Sequence, residues 1–323
     1  MASWWLLGTL SQICCFLLAQ DSSSFSFLIC RYSDGCIRLF HTTNHQLKVV
    51  LNGHRSAISA FRFDAGSTRL LSGSKDTDIV AWDLLAETGL FRLRGHKDAV
   101  TQIRFLTPQH ILTSAKDTTM RLWDLDMQYC YETVVGHRHE ITDFELFFAG
   151  KETATVWTVS VDPDVHVWSI DLTKLGVAQY GEESDTPRQH MTYLYSLPRQ
   201  LKSHRATQIK MLDRLCLVAT NNKGMEGFYL LTEEELAKKR AKRLKRKSKK
   251  GNSGEVALTE EDRVQRTAIL RCPAKIKSID VTPMSSSDKV KVFFGFLHSG
   301  YRRGIALTGC ANRSLWRPQT MRY

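Results

Sequence analysis

Gly53-His54, an apolar segment, Ser72-Gly73-Ser74-Lys75-Asp76 and Trp82-Asp83 are followed by Gly95-His96, an apolar segment, Thr113-Ser114-Ala115-Lys116-Asp117 and Trp123-Asp124. A looser third copy runs through Gly136-His137, Thr158-Val159-Ser160-Val161-Asp162 and Trp168-Ser169. The His-to-His intervals are 42 and 41 residues, and the Trp-to-Trp intervals 41 and 45. Counting four, seven and nine residues from each His reaches Ile58, Phe61, Phe63; Val100, Ile103, Phe105; and Ile141, Phe144, Leu146. Four residues before each Asp stands a hydroxyl (Ser72, Thr113, Thr158), and six residues after it an indole (Trp82, Trp123, Trp168). One structural unit is written three times.

Short β-branched runs parted by Gly, Asn and Asp turns predict about four strands per unit, the period of a β-propeller blade. His, Ser and Asp are also the residue types of a hydrolase triad. A catalytic site has no reason to recur once per unit, whereas a structural fastener does. The expected network therefore has the Asp accepting from the His and from turn amides, with the hydroxyl bridging His and Trp. No catalytic residue, metal ligand or cofactor is predicted, since P-loop, dinucleotide-binding and zinc-helix patterns are missing.

Working outward, taking Asp34 as the counterpart of Asp76 makes residues 28–40 the second half of a unit, with Cys30 at the Ser72 position. Residues 1–27 open on an apolar, uncharged stretch. It can be an atypical signal, a buried strand pair or a leader outside the fold, and the last is preferred because nothing in it matches the repeat. The blades are expected over 28–170, a polar insertion over 171–200, a degenerate blade over 201–231, a basic helix and linker over 232–254, a partial blade over 255–297 and a tail outside the pattern over 298–323. In the degenerate blade Asn222 falls at the Asp position and Phe228 at the Trp position; in the partial one Cys272 stands where the His belongs. Fold class is thus all-β, an incomplete propeller with about four to five recognisable blades and an inserted basic α-helix. Such an arc would expose strand edges, so poor solubility is expected of it.

The formal net charge of +12 is concentrated in Lys238, Lys239, Arg240, Lys242, Arg243, Lys245, Arg246, Lys247, Lys249 and Lys250. Thr232 and Glu235 form a capping box in front of this run, with Leu231 and Leu236 as a staple. The lack of an apolar stripe predicts a helix that projects from the core. A solvated helix face, nuclear or nucleolar import, and contact with RNA phosphates are the readings open to the run, import and phosphate contact being preferred. It contains no aromatic residue for stacking on bases. The eight cysteines have neither zinc-site nor disulfide spacing, which fits reduced thiols inside a cell.

The Gly-His…Ser-x-Asp…Trp-Asp wording resembles the WD-repeat β-propeller family across residues 28–170. Asp34-Gly35-Cys36-Ile37-Arg38-Leu39-Phe40, Gly73-Ser74-Lys75-Asp76-Thr77-Asp78-Ile79, Leu93-Arg94-Gly95-His96-Lys97-Asp98, Trp123-Asp124-Leu125-Asp126 and Ala274-Lys275-Ile276-Lys277-Ser278-Ile279-Asp280 are similar to the tandem-propeller WD-repeat subunits of the UTP-B group of the small-subunit processome. That resemblance implies a nucleolar, non-catalytic scaffold in pre-rRNA processing and small ribosomal subunit biogenesis. Its partners would be other UTP-B subunits, processome proteins and snoRNA or pre-rRNA, with no membrane and no small-molecule substrate. It also implies that the basic helix is an insertion between blades. Members of that group are longer, with a second propeller and a helical carboxy-terminal domain, so a truncated or alternative form is expected. The competing function is a WD-repeat adaptor of another complex, a ubiquitin ligase or a chromatin reader. A secreted propeller enzyme is a third reading, opposed by the free cysteines and the basic run.

Overall fold

The computed structural model describes residues 18–20, 26–31, 33–175, 189–248, 260–283, 289–296, 304–310 and 316–319, less positions 42, 43, 45, 67, 149, 151, 203, 222, 223, 267, 268 and 272–275. Asn222, Cys272, Lys249 and Lys250 lie outside the described residues.

Among them the strands form six antiparallel sheets, taken here in chain order. The first holds β1 (Leu18–Gln20), β2 (Ser26–Arg31), β3 (Ile37–His41) and β4 (Leu47–Leu51). The second holds β5 (Ile58–Phe63), β6 (Arg69–Ser74), β7 (Ile79–Asp83) and β8 (Thr88–Leu93). The third holds β9 (Val100–Phe105), β10 (His110–Ala115), β11 (Thr119–Asp124) and β12 (Tyr129–Val135). The fourth holds β13 (Ile141–Phe148), β14 (Thr153–Ser160), β15 (Asp164–Asp171) and β16 (Met191–Pro198). The fifth is built from β17 (Ala206–Leu212), β18 (Leu215–Thr220), β19 (Gly224–Leu230) and β20 (Val264–Arg266), and the short β21 (Leu270–Arg271) also pairs with β19. The sixth holds β22 (Ile276–Pro283), β23 (Lys289–Phe296), β24 (Gly304–Cys310) and β25 (Trp316–Gln319). Every path is an up-and-down meander, as a blade requires.

This corrects the sequence reading in four places. Leu18–Gln20 pairs with β2 in the first sheet, so part of the supposed leader is strand. Met191–Pro198, inside the supposed insertion, is the fourth strand of its sheet. Strands β24 and β25 give the last sheet four strands where the tail was set outside the pattern. The described strands thus form six sheets, of which four to five are recognisable as blades in the sequence. The missed strands lack the Asp and Trp landmarks, because a strand needs only extended backbone and a paired edge. The fourth difference concerns the helix α1 (Glu233–Ser248): it leaves β19 and the chain returns as β20 on the same sheet, so α1 is inserted within a blade.

By contact the chain forms two units, Met1–Ile141 and Thr142–Tyr323. In the first, alternation sends neighbouring residues of one strand to opposite sheet faces. Leu70 joins Ile29, Leu39 and Trp82 between the first and second sheets, while Leu71 joins Ile103, Ile111 and Trp123 between the second and third. Gly73 is required where those sheets meet, since a Cβ there would stand 2.6 Å from Val100 Cγ1. In the second unit Trp157, Val159, Val167 and Leu197 of the fourth sheet pack on Ile209, Val218, Phe228 and Val264 of the fifth.

The turn between the second and third strands is shared by the first three sheets. The residue after the Asp has positive φ in each: Gly35 at 86°, Thr77 at 76° and Thr118 at 69°. The Asp side chain holds the turn by accepting from the amide two residues on, at Cys36, Asp78 and Thr119. In the third sequence copy Pro163 follows Asp162, and proline cannot take positive φ. The turn is rebuilt there, with Ser160 Oγ donating to Asp162 Oδ2 at 2.8 Å.

Candidate functional site

Two groups of residues were singled out by sequence, the repeated polar network and the basic helix. In the second sheet Trp82 Nε1 donates to Ser72 Oγ at 2.8 Å, Ser72 Oγ lies 2.7 Å from His54 Nε2, and His54 Nδ1 lies 3.1 Å from Asp76 Oδ2. Asp76 also accepts from the Arg55 and Asp78 amides. One proton arrangement satisfies every group. An ionised carboxylate only accepts, so Nδ1 carries the proton; Nε2 then accepts from the Ser72 hydroxyl, whose oxygen accepts from the indole. Burial lowers the pKa of His54 and outweighs the pull of the Asp76 carboxylate, which keeps the imidazole neutral. Burial opposes charge on Asp76, yet the Arg55 amide, His54 and the Asp78 amide hold its carboxyl below the usual range.

The third sheet repeats this. Trp123 Nε1 donates to Thr113 Oγ1 at 2.8 Å, Thr113 Oγ1 lies 2.8 Å from His96 Nε2, and His96 Nδ1 lies 3.0 Å from Asp117 Oδ2. Asp117 accepts from the Lys97 and Thr119 amides and from the Thr119 hydroxyl. His96 is again held low by burial; Asp117 is held low although burial opposes its charge, His96 and the Lys97 amide more than compensating. In the third copy Trp168 Nε1 donates to Thr158 Oγ1 at 3.2 Å inside the second unit. Asp162 is buried against Ser160, and His137 is a buried residue of the first unit. Ser72, Thr113 and Thr158 have no solvent exposure. A hydroxyl so enclosed and already bonded to an indole is placed as a fastener, and a nucleophile needs access to a substrate.

The basic helix begins as a capping box. Glu235 Oε2 accepts from the Thr232 amide at 2.8 Å, and the Glu235 amide donates to Thr232 Oγ1 at 3.2 Å. Its first two turns do not project freely. Leu236 is buried, and Lys239 Nζ donates to the Asp262 carbonyl at 2.5 Å while facing the Asp262 carboxylate at 3.5 Å. Lys238, Arg240 and Lys242 are exposed. Arg243, Lys245, Arg246 and Lys247 continue the helix. A helical pattern of charge was legible, but the acid that ties the helix down, Asp262, lies 23 residues beyond Lys239 and carries no local signal.

A second polar set escaped sequence reading. Arg199 is almost fully buried and donates to the carbonyls of Pro163, His204 and Asp162 at 3.0, 2.9 and 2.8 Å. Glu226 is buried and accepts from the Gln200 and Leu201 amides at 2.7 and 2.6 Å. Asp143 accepts from the Ile209 amide at 3.1 Å, joining the fourth sheet to the fifth. Lone charged residues within or just after apolar strands are the hint the sequence offers of them. Cys30 and Cys216 are buried thiols, and burial pushes the Cys30 thiol up to about 11. Among the described residues no group of three or more His, Cys, Asp or Glu could hold a metal, and no helix is long and apolar enough to cross a membrane.

No curated protein matches the chain. Residues 4–170 match a family model, that of the WDR3 first β-propeller domain, over more than half the chain. The match takes in residues 4–27, which lie outside the repeat pattern. With its blade-like sheets and its twice-built His–Ser/Thr–Trp fastener, the chain belongs to the WDR3 first β-propeller domain family.

Proposed function

We propose that the chain is a non-catalytic WD-repeat scaffold of the small-subunit processome, acting in nucleolar pre-rRNA processing and small ribosomal subunit biogenesis. Propellers of this kind work by presenting rims and loops to partners, and the family match supports a scaffold concerned with ribosome biogenesis. The observation that carries the finer reading is the basic helix set into a blade, with exposed Lys238, Arg240 and Lys242 in its first turns and the remaining cations further along. Dense cationic charge without aromatic rings suits phosphate contact and nuclear import and leaves base identity unread. Other UTP-B subunits, processome proteins and snoRNA or pre-rRNA are the partners of this reading, and the nucleolus is its compartment.

The test is deletion of residues 238–250 in a tagged full chain. The intact chain should concentrate in nucleoli and recover rRNA precursors after crosslinking, and the deletion should lose both. Unchanged localisation removes the role assigned to the run. Recovery of ubiquitin-ligase subunits or histones in place of rRNA precursors favours the adaptor reading.

A further inference from the structure

One face of α1, the segment leading into it, the end of β16 and strand β20 enclose a groove of about 720 Å³. Its apolar lining is Leu197, Pro198, Leu231 and Val264, of which Leu197 and Val264 are buried. Five charged residues on or beside α1, with Gln265 and Arg266 on β20, line the rest. Glu235 is engaged by the Thr232 cap and lies 3.8 Å from Arg214. Asp262 is engaged by Lys239. With those carboxylates matched inside the protein, the cations left facing the groove are Lys238, Lys242 and Arg266, all exposed.

Lys238 and Lys242 are one helical turn apart and so share a face, with Arg266 across the groove on a short outer strand. An occupant must therefore offer anionic groups to the rim and aliphatic groups to the apolar lining. RNA matches the rim, but among the described residues no aromatic side chain lines the groove for bases to stack on. A small polyanion would leave the apolar lining uncovered. A peptide that alternates carboxylates with aliphatic side chains satisfies both requirements at once.

We propose that this groove docks an acidic, aliphatic peptide segment of a protein partner, with its carboxylates against Lys238, Lys242 and Arg266 and its aliphatic side chains on Leu197, Pro198, Leu231 and Val264. The assignment divides the basic run. Its first cations serve a protein contact and the later ones remain for phosphate, and the division holds whether or not the assembly is the processome.

The experiment is fluorescence anisotropy on the full chain with four labelled probes: a peptide alternating Glu with Leu, the same peptide with Ser for Leu, the same peptide with Lys for Glu, and a single-stranded RNA of net charge equal to that of the Glu-Leu peptide. The Glu-Leu peptide should bind at least tenfold more tightly than the Glu-Ser peptide. The combined Lys238→Glu, Lys242→Glu and Arg266→Glu variant should weaken it at least tenfold with an unchanged circular dichroism spectrum. A Lys-Leu peptide should then bind the variant better than the parent. Equal binding of the two acidic peptides, no binding of the Glu-Leu peptide, or an unaffected variant overturns the proposal. So does RNA that binds the groove more tightly than the Glu-Leu peptide and is lost in the same variant.

Discussion

In the second and third sheets a Ser or Thr at the centre of the inner strands bonds an indole ten residues on, whereas in the fifth sheet the same two places hold Val218 and Phe228. Both of these are buried, and Phe228 packs 6.4 Å from Trp157, centre to centre. The difference teaches that the fastener is replaceable as a set. An unpaired buried donor or acceptor costs about 1–3 kcal/mol, while exchanging both partners for apolar groups of similar shape is close to neutral. The fifth sheet then takes its polar fixing from Glu226 on β19 and from Arg199 and Asp143 beside the sheet. The first sheet is intermediate, with Cys30 and Phe40 at the two central places and Asp34 still holding the turn.

The largest effect is expected where this second polar set is broken. Glu226→Leu would remove the carboxylate acceptor from the part-buried Gln200 and Leu201 amides and the favourable field of that carboxylate from Arg199, a loss of about 3–5 kcal/mol for two charge-assisted bonds. Urea unfolding followed by tryptophan fluorescence measures it, and a loss under 1 kcal/mol would mean the fifth sheet does not depend on its second polar set.

In the second sheet Ser72→Val strands both the Trp82 indole and His54 Nε2, at a cost of about 2–4 kcal/mol. Adding Trp82→Phe, which copies the fifth-sheet pair, should cost less in that background than alone. A double-mutant cycle with additive losses would break the comparison.

The two kinds of sheet should also differ in acid. His54 and His96 have lowered folded pKa values, so the unfolded chain binds protons first and stability present above about pH 6.5 declines as pH falls. Asp76 and Asp117 are lowered too, and their contribution is lost at still lower pH, through their folded pKa values. Hydrogen exchange at pH 7 and pH 5 should therefore show protection falling more in β6 and β10 than in β18, which lacks the His–Asp pair.

The turn offers a smaller contrast. Gly35→Ala places a Cβ 2.5 Å from the His54 carbonyl at positive φ and should cost about 1–3 kcal/mol. Thr77→Gly at the equivalent turn should be neutral or stabilising by up to about 1 kcal/mol, since threonine is strained there. Least of all, Thr232→Ala should remove about 1 kcal/mol from the α1 terminus, seen as faster exchange of the first helical amides.

The spacing of His, hydroxyl, Asp and Trp was enough to place the strands of the second and third sheets, because each landmark is a local requirement of turn or core. Where the landmarks lapse, strands were missed: β1, β16, β24 and β25 are specified by a partner's edge and carry no signature of their own. Pro163 shows the converse, since the same Asp and Trp spacing surrounds a turn that proline forces into another form. The capping box of α1 was legible for the same reason the repeats were, all of its bonds lying within four residues.

The sequence by itself determined the repeat, the fastener chemistry and the helical form of the basic run, since each depends on residues whose separation is set by turn, strand or helix geometry. Tertiary structure alone decided that α1 is tied back through Asp262, and that Lys238, Lys242 and Arg266 frame one groove. Burial and the meeting of side chains remote in the chain depend on how sheet faces pack, and no local spacing encodes that.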